Sequence, residues 1–161
     1  MSFYSRNDAL NCKKNAEAIL KWLKILMRRI NEEYERKFSD FLKKLISAYP
    51  DSTIVLFGSR ARGKNRPNSD FDIIAFVSCE NPLHKSIEIY QTTRPDFPVD
   101  IIVMKPEEVN DRNLKLTHMF YYGYKILYDG LNLKEKIERM MRENVDKLKD
   151  IIIYDDPKYK S

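Results

Sequence analysis

The chain has 161 residues, 43% hydrophobic and 33% charged, with 4 Gly and 2 Cys. That composition is too apolar for a disordered chain, and Cys12 and Cys79 cannot supply a disulfide framework or a four-thiolate metal site. The net charge of +5 is uneven: residues 1–50 hold 11 basic and 6 acidic side chains, while residues 51–130 hold 10 and 11. The surplus therefore belongs to an arm rather than to a uniformly basic groove, which makes nucleic acid a possible but not the favoured partner. No apolar run approaches the roughly 18 residues of a membrane span. The start, Met1-Ser-Phe-Tyr-Ser-Arg6, lacks the pattern of a secretory signal, so a cytoplasmic protein is expected.

Residues 1–50 are expected to form an N-terminal helical extension. Ile19, Leu23, Leu26, Ile30, Tyr34, Phe38, Phe41, Leu45 and Tyr49 recur every three or four residues, without Gly or Pro before Pro50. Asn7 or Asp8 suits the helix start. One helix of that length would run about 60 Å; Asn31-Glu32 is its weakest point, so two helices remain open. The apolar stripe requires cover from its own domain, the C-terminal helix or a second copy, which makes a homodimer possible through this helix.

Residues 51–130 read as an α/β core. Ser52–Phe57 is a buried strand ending at Gly58-Ser59, and Arg60–Gly63 can open a short helix. Asp70–Val77 is a second strand, Leu83–Tyr90 a helix (its latter half alternatively extended), and Val99–Val103 a third strand. A helix starts at Pro106, another covers Leu114–Tyr122, and Tyr124–Tyr128 is a last strand. Residues 131–161 give an amphipathic helix over Leu133–Lys149 and a tail from Ile151.

Chemistry concentrates in three places. Side chains at i and i+2 of a strand share a face, about 6.7 Å apart. Asp70 and Asp72 thus form a pair, with Phe71 free to be buried behind them. Paired carboxylates repel and favour a cation between them. Magnesium suits such a pair, because it takes one or two carboxylates and fills its shell with phosphates and water. Asp100 interrupts an otherwise apolar strand; if that strand lies beside the one holding Asp72, the three acids converge. Gly58 and Ser59 form a turn that allows close backbone approach to phosphates, with Arg60, Arg62, Lys64 and Arg66 adding charge.

The ordered set Gly58-Ser59-x-Ala61-Arg62-Gly63, then Ser69-Asp70-x-Asp72, then Asp100 resembles the nucleotidyltransferase domain of the DNA polymerase β superfamily. It is most similar in kind to the minimal, antitoxin-type nucleotidyltransferases that partner HEPN proteins. The resemblance implies an α+β fold, a mixed sheet flanked by helices. It implies a nucleoside triphosphate substrate, ATP foremost, and two magnesium ions. It assigns Asp70, Asp72 and Asp100 to metal and catalysis, Gly58 and Ser59 to the nucleotide phosphates, and Arg62 to the triphosphate. The acceptor it suggests is a hydroxyl on a partner protein. Two other functions stay open: a non-catalytic, antitoxin-like binding module, and a transferase that modifies RNA or a small molecule. The family's minimal members have only a short helix before the first strand, and this chain has about fifty residues there.

Weaker signals are read as structural. Arg112 and His118 match the Arg-x5-His form of HEPN ribonucleases, but on an α/β core the match is coincidence. His84 is a surface residue, Cys79 a small residue at a strand end, and the Tyr121, Tyr122, Tyr124, Tyr128 cluster belongs to the core and sheet edge.

Overall fold

The structure is a computed structural model that describes residues 6–155, with side chains from 13 to 148. Its first element is one unbroken helix, α1, Arg6–Ala48. Asn31 does not interrupt it; its side chain is engaged elsewhere, as described below. The capping candidates Asn7 and Asp8, and Cys12, have side chains outside the described set.

Strand β1 (Ser52–Phe57) leads into a four-residue helical turn, α2 (Gly58–Ala61), and then β2 (Phe71–Val77). Helix α3 (Pro82–Thr93) is helical throughout, so the extended alternative for Ile87–Tyr90 does not hold. Its length follows from local chemistry. Asn81 caps it by accepting from the amides of Leu83 (3.0 Å) and His84 (3.2 Å), Pro82 stands at the first position, and Arg94 closes it in the left-handed region. Strand β3 (Val99–Met104) follows, then a single 3-10 turn at Pro106–Glu108 in place of the expected longer helix. Helix α4 (Leu114–Tyr121), strand β4 (Tyr124–Asp129) and helix α5 (Lys134–Asp155) complete the chain. Asp129 starts α5 by accepting from the amides of Leu133 (2.8 Å) and Lys134 (3.1 Å). The helix runs through Asp155, past the expected end at Lys149; the rest of the tail lies outside the described residues.

The sheet is mixed, in the order β3-β2-β1-β4. β1 pairs antiparallel with β2 and β4, while β2 and β3 run parallel. The period of two sorts the strands onto two cores. Phe71, Ile73, Ala75, Ile101 and Val103 face α1 and α3, and Ile74, Phe76 and Val55 face α4 and α5. On the first face four rings interlock. Phe38 stacks on Phe71 at 4.2 Å, and Phe97 meets Phe38, Phe41 and Phe71 edge-on. On the second, the buried amide of Asn144 (α5) donates to Thr117 Oγ1 (α4) at 3.2 Å, which satisfies both groups and fixes the helix pair.

Only the C-terminal half of α1 joins this core, through Phe38, Phe41 and Leu45. Residues 13–26 are exposed without exception, Ile19, Leu20, Trp22 and Ile25 included. Among the described residues no helix is long and apolar enough to cross a membrane.

Candidate active site

The site lies where the parallel strands begin. Asp72 and Asp100 are register partners on β2 and β3, so their side chains stand opposite one another on one face of the sheet. The order of the strands does this: Phe71 and Ile101 turn into the α1 core, which forces Asp72 and Asp100 the other way. Phe71 is almost fully buried and clamps the Asp-x-Asp segment from behind. Asp70 is exposed, one residue before the strand, close enough for its charge to be felt by Asp72 and by Arg60.

Asp72 is half-buried, and its carboxyl is pushed above the usual carboxylate range by burial first, then by the charges of Asp100 and Asp70. A cation or a donor beside Asp72 would relieve both causes. Among the described residues, however, no three carboxylate, histidine or cysteine groups stand close enough to enclose an ion by themselves. The donor set is thus an open one, two facing carboxylates with a third nearby. It fits magnesium better than zinc, since magnesium keeps waters and phosphates in its shell.

Gly58 follows Phe57, the β1 partner of Asp72, and has φ +73°. A Cβ placed on it would lie 2.3 Å from Asp72 Oδ2. Glycine is therefore demanded twice, by conformation and by the carboxylate resting against its backbone. Ser59 is half-buried in the same turn, and its carbonyl accepts from the Lys64 amide at 3.1 Å. Arg62 is exposed, with its guanidinium 5.7 Å from the centre of the Tyr122 ring. Its stem lies against Gly123, where an added Cβ would stand 3.0 Å from Arg62 Cγ. Tyr122 is therefore an exposed support for Arg62 and not a core residue, which corrects the reading of the tyrosine cluster. Tyr124 does stack on Phe120, at 4.8 Å, and Tyr128 donates to the Pro50 carbonyl at 2.9 Å.

Arg60 also departs from expectation. It does not add charge for phosphates, because its side chain is buried and turned towards α1. It pairs with Glu35 at 2.8 Å, donates to Asn31 Oδ1 (3.2 Å) and to the carbonyls of Ser69 (2.9 Å) and Pro67 (3.3 Å), and lies 3.7 Å over the Phe71 ring. Asn65 donates to the same Asn31 oxygen at 3.4 Å, and the Arg66 amide donates to Ser69 Oγ at 2.9 Å. One guanidinium thus ties the Gly58–Ala61 turn, the loop leading into Asp70 and the middle of α1 into one unit. The signal that could have found it is Asn31 and Glu35, polar residues one helical turn apart on the flank of the apolar stripe, beside Ile30 and Tyr34. Arg112 and His118 are both exposed, and His118 meets only Tyr122 edge-on among ring contacts.

The geometry defines a class: a strand–turn–strand site with two facing carboxylates, a glycine that admits one of them, and a serine and arginine beside it. The sequence matches the nucleotidyltransferase domain family over residues 35–155, and the chain belongs to that family. It is accordingly a nucleotidyltransferase. No curated protein matches it. Among solved structures it is similar to a toxin–antitoxin crystal structure with AMP-PNP, at 22% identity and a TM-score of 0.47, covering 71% of this chain and 94% of that one. It is also similar to a mutant of the toxin–antitoxin MntA–HpeT, at 19% identity and a TM-score of 0.45, covering 71% and 93%.

Proposed function

We propose that the chain transfers a nucleoside monophosphate from a nucleoside triphosphate, ATP foremost, to a hydroxyl on a partner protein, with release of pyrophosphate. The observation that carries this reading is the registered Asp72–Asp100 pair, with the Gly58 backbone against Asp72. Asp70, Asp72 and Asp100 are the residues that would hold divalent magnesium, two ions by family resemblance. When bound, magnesium offsets the phosphate charge and relieves the repulsion among the acids. The open donor set supports that assignment, because substrate phosphates and water must supply the remaining ligands.

The chain's own groups divide the remaining work. Gly58 lets the backbone of the turn come close, and Ser59 offers a hydroxyl and an amide to the β- and γ-phosphates. Arg62, steadied on Tyr122, offers its guanidinium to charge that develops on the departing pyrophosphate. Asp100, exposed opposite Asp72, helps activate the acceptor hydroxyl, through bound metal or by direct contact. A protein acceptor, of the HEPN type, is what the family resemblance implies.

The test uses ATP labelled at the α- or the γ-phosphate, magnesium and a candidate partner protein. Label from the α position alone should reach the protein, and Asp72→Asn should abolish it. Transfer of γ-label would make the reaction phosphoryl transfer, and undiminished α-label in Asp72→Asn would remove these carboxylates from the mechanism.

A further inference from the structure

Residues 13–30 leave the domain as a rod in which, among the described residues, nothing covers 13–26, while Met27 and Ile30 are half-buried and Met27 lines a cleft with Asn65 and Pro67. At 100° per residue their apolar side chains fill an arc of about 220°, from Ile25 through Trp22, Leu26 and Leu23 to Leu20. Within it Ile19, Leu23, Leu26 and Ile30 step by 4, 3 and 4, the spacing of a seam that meets another helix. Trp22, Leu20 and Met27 flank the seam on both sides and thicken it. The domain uses a line rotated by roughly 60° on the same helix, through Phe38, Phe41 and Leu45, so the arm and the domain draw on overlapping parts of one broad apolar stripe.

We infer that this face is an interface with a second copy of the chain, arm against arm. Two observations choose that occupant. The first is area. Trp22 is 65% exposed, Ile19 60% and Leu20 57%, and Leu23, Ile25 and Leu26 add to them. Together they offer on the order of 600 Å² of apolar surface per chain; a symmetric pair that covered all of it would bury about 1,200 Å², the lower limit for a stable interface. The second is the placement of charge. The arm carries Lys13, Lys14, Lys21, Lys24, Arg28 and Arg29 against a single acid, Glu17. All of these bases except Arg29 lie on the arc opposite the apolar one. Two arms joined at their apolar faces point these bases outward into solvent, where they do not oppose the contact. For an acidic partner protein, by contrast, a groove deep enough to bury the apolar arc would leave most of those bases untouched. An anionic bilayer could take the same apolar face, with Lys13, Lys14 and Lys24 at its edges, and the vesicle measurement below separates that outcome from a second copy.

The chain's single tryptophan, Trp22, reports on this face. The experiment is sedimentation equilibrium of the full chain from low micromolar to submillimolar concentration, paired with Trp22 emission over the same range. The expected result is a mass rising to twice 19.2 kDa with a concentration-dependent blue shift of emission. Leu23→Glu with Leu26→Glu should hold the mass at 19.2 kDa and the emission red, with the circular dichroism melt of the domain unchanged, since both residues are exposed in the single chain. A wild-type chain that stays monomeric throughout overturns the inference, as does a dimer that survives both substitutions. A blue shift obtained only on adding phosphatidylserine vesicles also overturns it and assigns the face to a membrane surface.

Discussion

Asp72→Asn should raise the stability of the metal-free protein while it removes transfer. In the wild-type fold Asp72 and Asp100 are cross-strand partners, so their backbones lie about 4.8 Å apart and the carboxylates face each other. At roughly 5–6 Å, and with the screening appropriate to one half-buried and one exposed group, the repulsion is about 1 kcal/mol. Asparagine keeps the shape and removes that repulsion, so the melting temperature in chelator should rise by about 2–4 °C for a chain of this size. The pH dependence has a definite sign. The Asp72 carboxyl is raised in the fold by burial, Asp100 and Asp70, so protonation favours the native state. The advantage of the variant is then full at neutral pH. It shrinks as pH falls through the raised folded value and is gone below the unfolded value of about 3.9. Magnesium reverses the order. At tenfold above its dissociation constant it adds about 1.4 kcal/mol to the wild type, and little to the variant. Calorimetry at several pH values, with chelator or magnesium, reads all of this. A variant less stable than wild type in chelator, or stabilised equally by magnesium, would refute the claim that Asp72 carries an uncompensated charge awaiting a cation.

Further expectations follow from the turn and its anchor. Gly58→Ala forces a Cβ to 2.3 Å from Asp72 Oδ2 at a φ of +73°, so the carboxylate or the turn must move. A displacement near 1 Å should lower the transfer rate by about 10²-fold, measured by steady-state kinetics, with a smaller loss in melting temperature. Arg60→Ala strips the donors from the Ser69 and Pro67 carbonyls and a cation from the Phe71 ring. It should cost about 2–4 kcal/mol in urea unfolding. Arg60→Lys, a point charge in place of a fork, should recover only part of it.

What the sequence disclosed and what it hid divide along a physical line. Alternation is local, so the burial of Phe71 behind Asp72 and the strand containing Asp100 could be read directly. Neighbouring is not local. That β3 lies parallel beside β2, which brings Asp100 opposite Asp72, depends on how the α3 crossover packs, and no residue spacing states it. The role of Arg60 is hidden for the same reason. Beside Arg62, Lys64 and Arg66 it looks like one more surface base, and its partners Asn31 and Glu35 are 29 and 25 positions upstream. The stripe of α1 was visible throughout, yet a periodic pattern cannot say which half meets the domain. The four-ring contact of Phe38, Phe41, Phe71 and Phe97 decides that. Asn31, which looked like a break, instead marks the point where the helix passes from packed to bare.

The continuity of α1 has a kinetic side. A free peptide the length of the bare segment would be a marginal helix in water, because its first turn is costly to close. Here that first turn already exists, held in register by Phe38, Phe41 and Leu45. The arm needs only to propagate from it, so it should grow and fray as a zipper from the anchored end. In the single chain, at concentrations below any pairing of arms, its amide hydrogens should then exchange in a gradient, slowest near Tyr34 and fastest towards Lys13, without the domain having to open.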